Sequence, residues 1–147
     1  MKTAVLGYGN IGRQDDGIGP EIIFKLKKQK LPDVYLDADY QLNIENAYDI
    51  AAGEKVIFVD ASHSSRAPYE FYEIQPAASI AFSTHTLSPQ SLLAASHELF
   101  NSSIKGYILA VRGYAWDMAE GLSAPGNNNM QQACNFLLEH IKNRCLN

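Results

Sequence analysis

Two aspartates and one histidine occupy polar segments that separate the apolar runs of this 147-residue chain. Asp16 follows a glycine-rich segment, Asp60 follows the apolar run 56–59, and His85 stands just before a predicted helix. Two carboxylates and one imidazole suit a divalent transition metal such as nickel or zinc and leave coordination positions open. Asp16, Asp60 and His85 are therefore the candidate ligands of a metal site.

Each of these side chains also has a structural interpretation. One member of the adjacent pair Asp15 and Asp16 is expected to cap a turn, and Asp15 could do so through its own backbone. Asp60 could accept a neighbouring N–H at the end of its strand, and His85 could cap the helix that follows it. The remaining histidines are not proposed as ligands: His63 follows the Asp60 segment, His97 lies within a predicted helix and His140 is expected to face solvent.

Apolar runs and capping residues predict strands that alternate with helices. The four consecutive apolar residues 56–59 predict a central strand that is covered on both faces, whereas 69–74 carries two glutamates and predicts a peripheral one. Further strands are predicted over 3–6, 34–36 and 107–111, and helices from Pro20, over 44–52, after Ser88-Pro89 and across Met130 to Ile141. This alternation predicts an α/β fold, a three-layer α/β/α sandwich with a mostly parallel, mixed five-stranded sheet, in a single domain, residues 1–147.

Two of the predicted helices carry well-defined apolar residues. The last helix has apolar residues at three-four spacing, which predicts that Cys134 is a small buried hydrophobe. Cys134 and Cys145 are eleven positions apart and match no metal or redox spacing. The helix after Ser88-Pro89 carries Leu92, Leu93, Leu99 and Phe100.

The predicted topology brings the candidate ligands to one edge of the sheet. In folds of this class ligands bind beyond the carboxyl ends of the strands, where Asp16 and Asp60 are expected. The helix that follows His85 must run back along the sheet before strand 107–111 begins. Its N-terminus, and with it His85, is therefore expected at the same edge.

A dinucleotide-binding domain is the alternative suggested by residues 7–12, which match G-x-G-x-x-G, with Asp37 or Asp39 as the ribose-binding acid. That pattern needs its third glycine in the first turn of a helix, so that N–H groups at the helix terminus meet the pyrophosphate. Here the helix is predicted only from Pro20, and two adjacent aspartates would repel a pyrophosphate. This alternative is therefore not favoured.

Composition excludes several other classes of protein. A chain that is 46% hydrophobic and 19% charged is typical of globular proteins. The net charge of −4 argues against a nucleic-acid partner, which needs a clustered basic surface. No apolar run approaches the ~20 residues of a membrane span, and the first residues do not form a signal peptide. We therefore expect no nucleic-acid binding, no membrane insertion and a cytoplasmic location.

Four short motifs follow one another along the chain. The first is a strand followed by G-x-G-N, four residues and D-[DE]-G-x-G; the second is V-D-A at a strand end; the third is S-x-H before a helix. They stand at Gly7–Asn10 with Asp15–Gly19, at Val59–Ala61 and at Ser83–His85, and a fourth, weaker motif stands at Glu120–Ser123. Motifs in this order resemble those of the [NiFe]-hydrogenase maturation endopeptidases.

The resemblance implies an endopeptidase that removes the C-terminal extension of a nickel-loaded [NiFe]-hydrogenase large-subunit precursor. The metal-ligating and catalytic residues of that family correspond to Asp16, Asp60 and His85. The resemblance also implies that nickel arrives with the substrate, that zinc or cadmium can replace it in crystals, and that the partner is the C-terminal tail of the precursor. We expect the enzyme to be a monomer. A non-catalytic metal-binding maturation chaperone of the same fold is the alternative.

Two chemistries are compatible with these residues. The metal could polarise the scissile carbonyl and lower the pKa of an attacking water, or a carboxylate could act as the base. No serine or cysteine has an activating base that the sequence identifies, so a covalent nucleophile is not expected.

Overall fold

The five predicted strands form one sheet in the computed structural model of the chain, which describes residues 1–78 and 87–145. The sheet order is β2-β1-β3-β5-β4, with β4 antiparallel to β5 at one edge and the other pairs parallel. This confirms the predicted mostly parallel, mixed sheet. The strands are β1 (Thr3–Tyr8), β2 (Val34–Asp39), β3 (Lys55–Ser62), β4 (Tyr69–Ile74) and β5 (Lys105–Arg112); the helices are α1 (Ile18–Lys27), α2 (Asn46–Ile50), α3 (Pro89–Phe100) and α4 (Ala124–Cys145).

Alternate residues of β3 face two separate hydrophobic clusters. Ile57 and Val59 belong to the cluster formed with α1 and α4, and Val56 and Phe58 belong to the cluster formed with α2 and α3. All four side chains are fully buried, because the strand is covered on both faces. The central strand and the three layers are therefore as the sequence predicts.

The strands extend beyond the apolar runs that predict them. The parallel ladder of β1 with β2 continues to the pair Tyr8 and Asp39, and that of β3 with β5 passes Asp60 and Ala110 and continues to Ser62 and Arg112. Asp60 therefore lies within β3, which ends at Ser62, rather than at the end of the strand. Backbone hydrogen bonds extend the strands through these polar residues, and the alternation of the strand determines the face towards which each side chain projects.

The helices differ from their predicted bounds at their ends. α1 begins at Ile18, so Pro20 lies in its first turn, where a proline leaves no extra N–H unsatisfied. α2 covers only part of the predicted 44–52. Ser88 caps α3 as predicted, since its hydroxyl accepts the N–H of Ser91 at 3.1 Å. Of the four apolar residues predicted on this helix, Leu92 and Leu93 are buried, whereas Leu99 and Phe100 are exposed.

His140 does not face solvent as the sequence analysis expected. Its Nε2 lies 2.6 Å from the Nζ of Lys55, which is buried. Its ring packs against Phe71 and Phe136. The imidazole therefore covers the amino end of β3 and is part of the packing.

None of the helices that the structure describes is both long and apolar enough to span a membrane. α4 instead packs one apolar face on the sheet, with Met130, Cys134, Leu137 and Ile141 buried. Cys134 is a free, buried thiol, as predicted.

Truncation of α4 at its buried face should destabilise the fold. Leu137 is fully buried, so Leu137→Ala is expected to lower the free energy of unfolding by about 2–5 kcal/mol, because it leaves a cavity. Urea unfolding measures this change. Asn135→Ala, on the exposed face of the same helix, is the control and should stay within about 0.5 kcal/mol of wild type.

Candidate functional site

The adjacent residues Asp15 and Asp16 have opposite environments. Both lie in a short 3₁₀ helix, Gln14–Gly17, between β1 and α1. Asp15 is 0% exposed, whereas Asp16 is partly exposed at a cleft. Successive residues of this tight turn project in different directions, so one carboxylate enters the interior while the other remains accessible.

Asp15 is a buried anchor for a distant loop. Its Oδ2 accepts the N–H groups of Tyr114 (2.7 Å) and Ala115 (3.1 Å) and the hydroxyl of Ser123 (2.7 Å), and its Oδ1 accepts the N–H of Ser123 (2.8 Å). Burial alone would raise the pKa of this carboxyl, but these hydrogen bonds outweigh burial and lower the pKa below its ordinary value. The sequence analysis was right that Asp15 could be structural but wrong about its partner, which is not its own turn.

Two glycines make room for this carboxylate. A Cβ on Gly126 would lie 2.6 Å from both Asp15 oxygens, and a Cβ on Gly113 would lie 2.8 Å from the Asp15 Cβ and 2.9 Å from the ring of Trp116. Gly126 lies in the first turn of α4. The Asp15 anchor therefore requires small residues on both segments that pack around it.

Loss of the Asp15 carboxylate should destabilise the protein strongly. Asp15→Ala leaves three buried N–H groups without their acceptor, so we expect the free energy of unfolding to fall by about 3 kcal/mol or more. Urea unfolding at neutral pH measures the change. Since the pKa of Asp15 is lowered in the folded state, the difference from wild type should narrow as the pH falls through that lowered pKa.

Gly126→Ala tests the same packing, because here the substitution should lower the free energy of unfolding, whereas Gly→Ala in a helix usually raises it. Gly→Ala within a helix normally stabilises by roughly 0.5–1 kcal/mol, but Gly126→Ala should destabilise by about 1–3 kcal/mol, because its methyl group overlaps the fixed carboxylate. The cost should disappear when Gly126→Ala is made in Asp15→Ala. Equal costs in both backgrounds would contradict this account.

Asp16 lines a cleft of about 490 Å³. Its Oδ2 accepts the N–H of Asn10 at 2.9 Å. Gly9 has a φ of +147°, and a Cβ there would overlap the backbone oxygen of Asp16, so this position requires glycine. This geometry uses the segment 7–12 to hold a carboxylate of the chain itself. The Asn10 N–H is therefore not available to a pyrophosphate, and α1 begins only at Ile18, so the dinucleotide alternative is not supported.

Asp60 is the neighbour of Asp16 across the sheet edge. Burial and the negative charge of Asp16 raise the pKa of Asp60 to about 7, although hydrogen bonds from the Ala61 N–H and the Tyr8 hydroxyl act in the opposite direction. Two carboxylates that repel each other gain from a shared proton or from a cation. Two of the three predicted site residues are thus brought together.

Tyr8 is a site residue that the sequence analysis did not identify. Residues 7 and 59 pair in parallel register, so the next residues, Tyr8 and Asp60, lie side by side on the face of the sheet that α3 covers. Burial and the Asp60 charge raise the pKa of the Tyr8 phenol, which therefore acts as a donor to Asp60. The contact of Tyr8 with Asp60 follows only from the register of the two strands. The motif G-x-G-N accepts any residue at position 8, so it does not predict this contact.

The third predicted ligand is a histidine, His85. His85 lies outside the described residues, and within residues 1–78 and 87–145 no three His, Cys, Asp or Glu side chains are grouped to hold a metal. His63 is exposed with its ring edge towards Trp116, and His97 Nε2 lies 2.7 Å from the Ile104 carbonyl oxygen. Asp16 and Asp60 supply hard oxygen donors, so the described part of the site fits a divalent cation that a third ligand completes.

The stability of the metal-free protein should reveal the raised pKa of Asp60. Between the unfolded pKa of 3.8 and the folded value of about 7, the folded protein holds a proton that the unfolded chain has released, so stability falls as the pH rises through this interval. Asp60→Asn cannot ionise. It should therefore be more stable than wild type at about pH 8 and similar to it at about pH 4, as measured by urea unfolding with a chelator present.

Asp15→Asn is the internal control for this measurement. The pKa of Asp15 is lowered rather than raised, so Asp15→Asn should lose stability at about pH 8 and approach wild type only in acid. An Asp60→Asn variant that gains nothing at the higher pH would contradict the assigned environment of Asp60.

Comparison with known proteins identifies the fold. No protein-family model matches the chain, and no curated protein matches it. Among solved structures, the hydrogenase maturating endopeptidase HybD from E. coli is 24% identical over 98% of this chain and 94% of its own, with a TM-score of 0.76. The [NiFe] hydrogenase maturation protease HycI from Thermococcus kodakarensis KOD1 is 24% identical over 96% and 92%, with a TM-score of 0.75. The hydrogenase 2 maturation peptidase from Thaumarchaeota archaeon SCGC_AB-539-E09 is 20% identical over 97% and 99%, with a TM-score of 0.71. These matches confirm the α/β fold that the sequence motifs imply.

Proposed function

We propose that this chain is an endopeptidase that removes the C-terminal extension of a nickel-loaded [NiFe]-hydrogenase large-subunit precursor in the cytoplasm. The observation that carries the proposal is the pairing of Asp16 with Asp60, two residues from separate motifs, at one end of a fold shared with maturation peptidases over nearly its whole length. The fold alone would support several activities. The two carboxylates support this one, because they can hold a divalent cation beside a scissile bond.

In this proposal the nickel ion belongs to the substrate. Asp16 and Asp60 each offer a carboxylate oxygen, and His85 supplies the third ligand. His85 stands four residues before Pro89, the first residue of α3, and α3 covers the face of the sheet on which Asp60 lies. A site assembled from three segments binds a cation weakly until a further partner completes it. The precursor is that partner, so recognition depends on nickel already inserted in it.

Hydrolysis then needs an activated water beside the scissile bond. A bound divalent ion polarises the carbonyl and lowers the pKa of a water. When the cation is absent, Asp60 exists in both its protonated and its ionised form near neutral pH, since its pKa is about 7. A carboxyl group with such a pKa is suited to exchange a proton with water during catalysis. Tyr8 holds Asp60 through its hydroxyl and keeps the orientation of the carboxylate fixed.

The test is processing of the precursor, followed by mass spectrometry. Wild-type protein should remove the tail from nickel-loaded precursor and leave nickel-free precursor uncut. Asp16→Asn, Asp60→Asn and His85→Ala should each lower the rate by about 100-fold or more, because each removes a group that contacts the metal or the reacting water. Glu73→Gln, an exposed carboxylate on the edge strand β4, is the control and should process normally.

Two outcomes would overturn the proposal. Efficient trimming of nickel-free precursor would show that recognition does not depend on nickel. Near-normal activity of His85→Ala would show that His85 is not the third ligand. Binding of the precursor without any loss of mass would instead identify a non-catalytic chaperone. An unfolding curve like that of wild type must accompany each inactive variant.

A further inference from the structure

Three of the four most exposed large apolar side chains of the described residues lie around Asp16. Met118 is 78% exposed, Tyr40 64% and Ile11 58%. Together with Tyr48 they are the four most exposed large hydrophobic side chains in the described part of the chain. Met118 and Tyr40 line the Asp16 cleft, and Ile11 and Tyr40 line a pocket that adjoins it. We call Ile11, Tyr40 and Met118 the apolar rim.

Hydrogen bonds tie the loop that carries Met118, and the Tyr40 hydroxyl, to the residues around the cleft. The loop that carries Met118 is fixed by the Gln14 N–H to the Ala119 carbonyl oxygen (2.9 Å) and by the Asp117 N–H to the Gln14 side-chain oxygen (3.0 Å). On the other side of the cleft, the Asn10 amide nitrogen lies 3.3 Å from the Tyr40 hydroxyl. A loop that is already held by hydrogen bonds loses less entropy when a partner covers it.

The pocket beside the cleft is suited to one apolar side chain. Its volume is about 250 Å³, and a cavity of about 150 Å³ already accommodates benzene. Pro20, Phe24 and Ala38 form its walls together with the rim residues Ile11 and Tyr40. The cleft and the pocket share Asn10 and Tyr40, so a chain segment that reaches Asp16 continues directly over this pocket.

We propose that the apolar rim is the docking surface for the substrate residues that flank the scissile bond, and that the adjoining pocket takes one apolar side chain from them. The inference rests on the proposed function and adds its specificity surface. A peptide bond that approaches Asp16 must bring its neighbouring residues against Met118 on one side and against Tyr40 and Ile11 on the other. Exposed apolar side chains that surround a polar site are typical of protein recognition.

The experiment compares rim variants with equally exposed apolar residues elsewhere. Met118→Gln and Tyr40→Ser change the rim without adding charge near Asp16. Leu99→Gln and Tyr48→Ser are the matched controls, because Leu99 and Tyr48 are also largely exposed and lie on α3 and α2. The values of kcat and KM are measured with nickel-loaded precursor, and unfolding curves are recorded for all four variants.

Each rim variant should raise KM about tenfold and change kcat less than about twofold, since the rim binds substrate but does not touch the reacting atoms. The double rim variant should approach a hundredfold increase in KM, because separated contacts are roughly additive. Both controls should match wild type.

The possible failures are distinguishable. Wild-type cleavage with normal KM in both rim variants overturns this inference alone, whereas no cleavage or binding by wild type overturns the proposed function and the inference with it. Sedimentation that shows a wild-type dimer abolished by Met118→Gln would identify a second copy as the occupant of the rim. That result would also overturn the inference.

Discussion

The buried carboxylate of Asp15 is the interaction on which the organisation of the site depends. It joins the segment after β1 to the segment after β5 by four hydrogen bonds from three residues, Tyr114, Ala115 and Ser123, which lie 99 to 108 positions away in sequence. Asp16 follows it directly, and the wall that carries Trp116 and Met118 is part of the loop that it holds. A buried carboxylate that lost these hydrogen bonds would be costly in free energy, so the two segments are held in this arrangement. The position of the accessible carboxylate is therefore fixed by the inaccessible one.

The two accessible carboxylates have the opposite energetic character. Asp16 and Asp60 repel each other, and burial adds to the cost of ionising Asp60. Their proximity therefore costs folding stability, which the packed sheet and the Asp15 anchor offset. Sites that bind a cation commonly contain carboxylates that repel each other, because the negative charges that the cation neutralises are already present before it binds. The conflict is itself a sign that the arrangement serves binding or chemistry rather than packing.

Sequence patterns predicted those features that depend on local residue types. The four apolar residues of β3 predicted a central strand, Ser88-Pro89 predicted the start of α3, and the glutamates of β4 predicted an edge strand. The site residues Asp16 and Asp60 were predicted from their places at strand ends, and the structure brings these two together. His85 stays a prediction, since it lies outside the described residues.

Features that depend on long-range register could not be predicted in this way. The partners of Asp15 are Tyr114, Ala115 and Ser123, and no local pattern links residues so far apart in sequence. The contact of Tyr8 with Asp60 needs the pairing of β1 with β3, because a shift of one residue would place Tyr8 on the other face. Leu99 and Phe100 are exposed at the C-terminal end of α3. His140 packs against Phe71, which comes from the distant strand β4, as well as against Phe136 one turn earlier in its own helix.

The position of Trp116 gives the protein an intrinsic optical probe. It is the only tryptophan in the chain, and it lies in the wall of the Asp16 cleft with its ring against Gly113. Indole emission responds to the polarity and hydration around the ring. The tryptophan emission, excited at wavelengths that the eight tyrosines do not absorb, therefore originates at one wall of the cleft. There the proposed ion and peptide binding, and release of the Asp15 anchor, would each change the surroundings of a single chromophore.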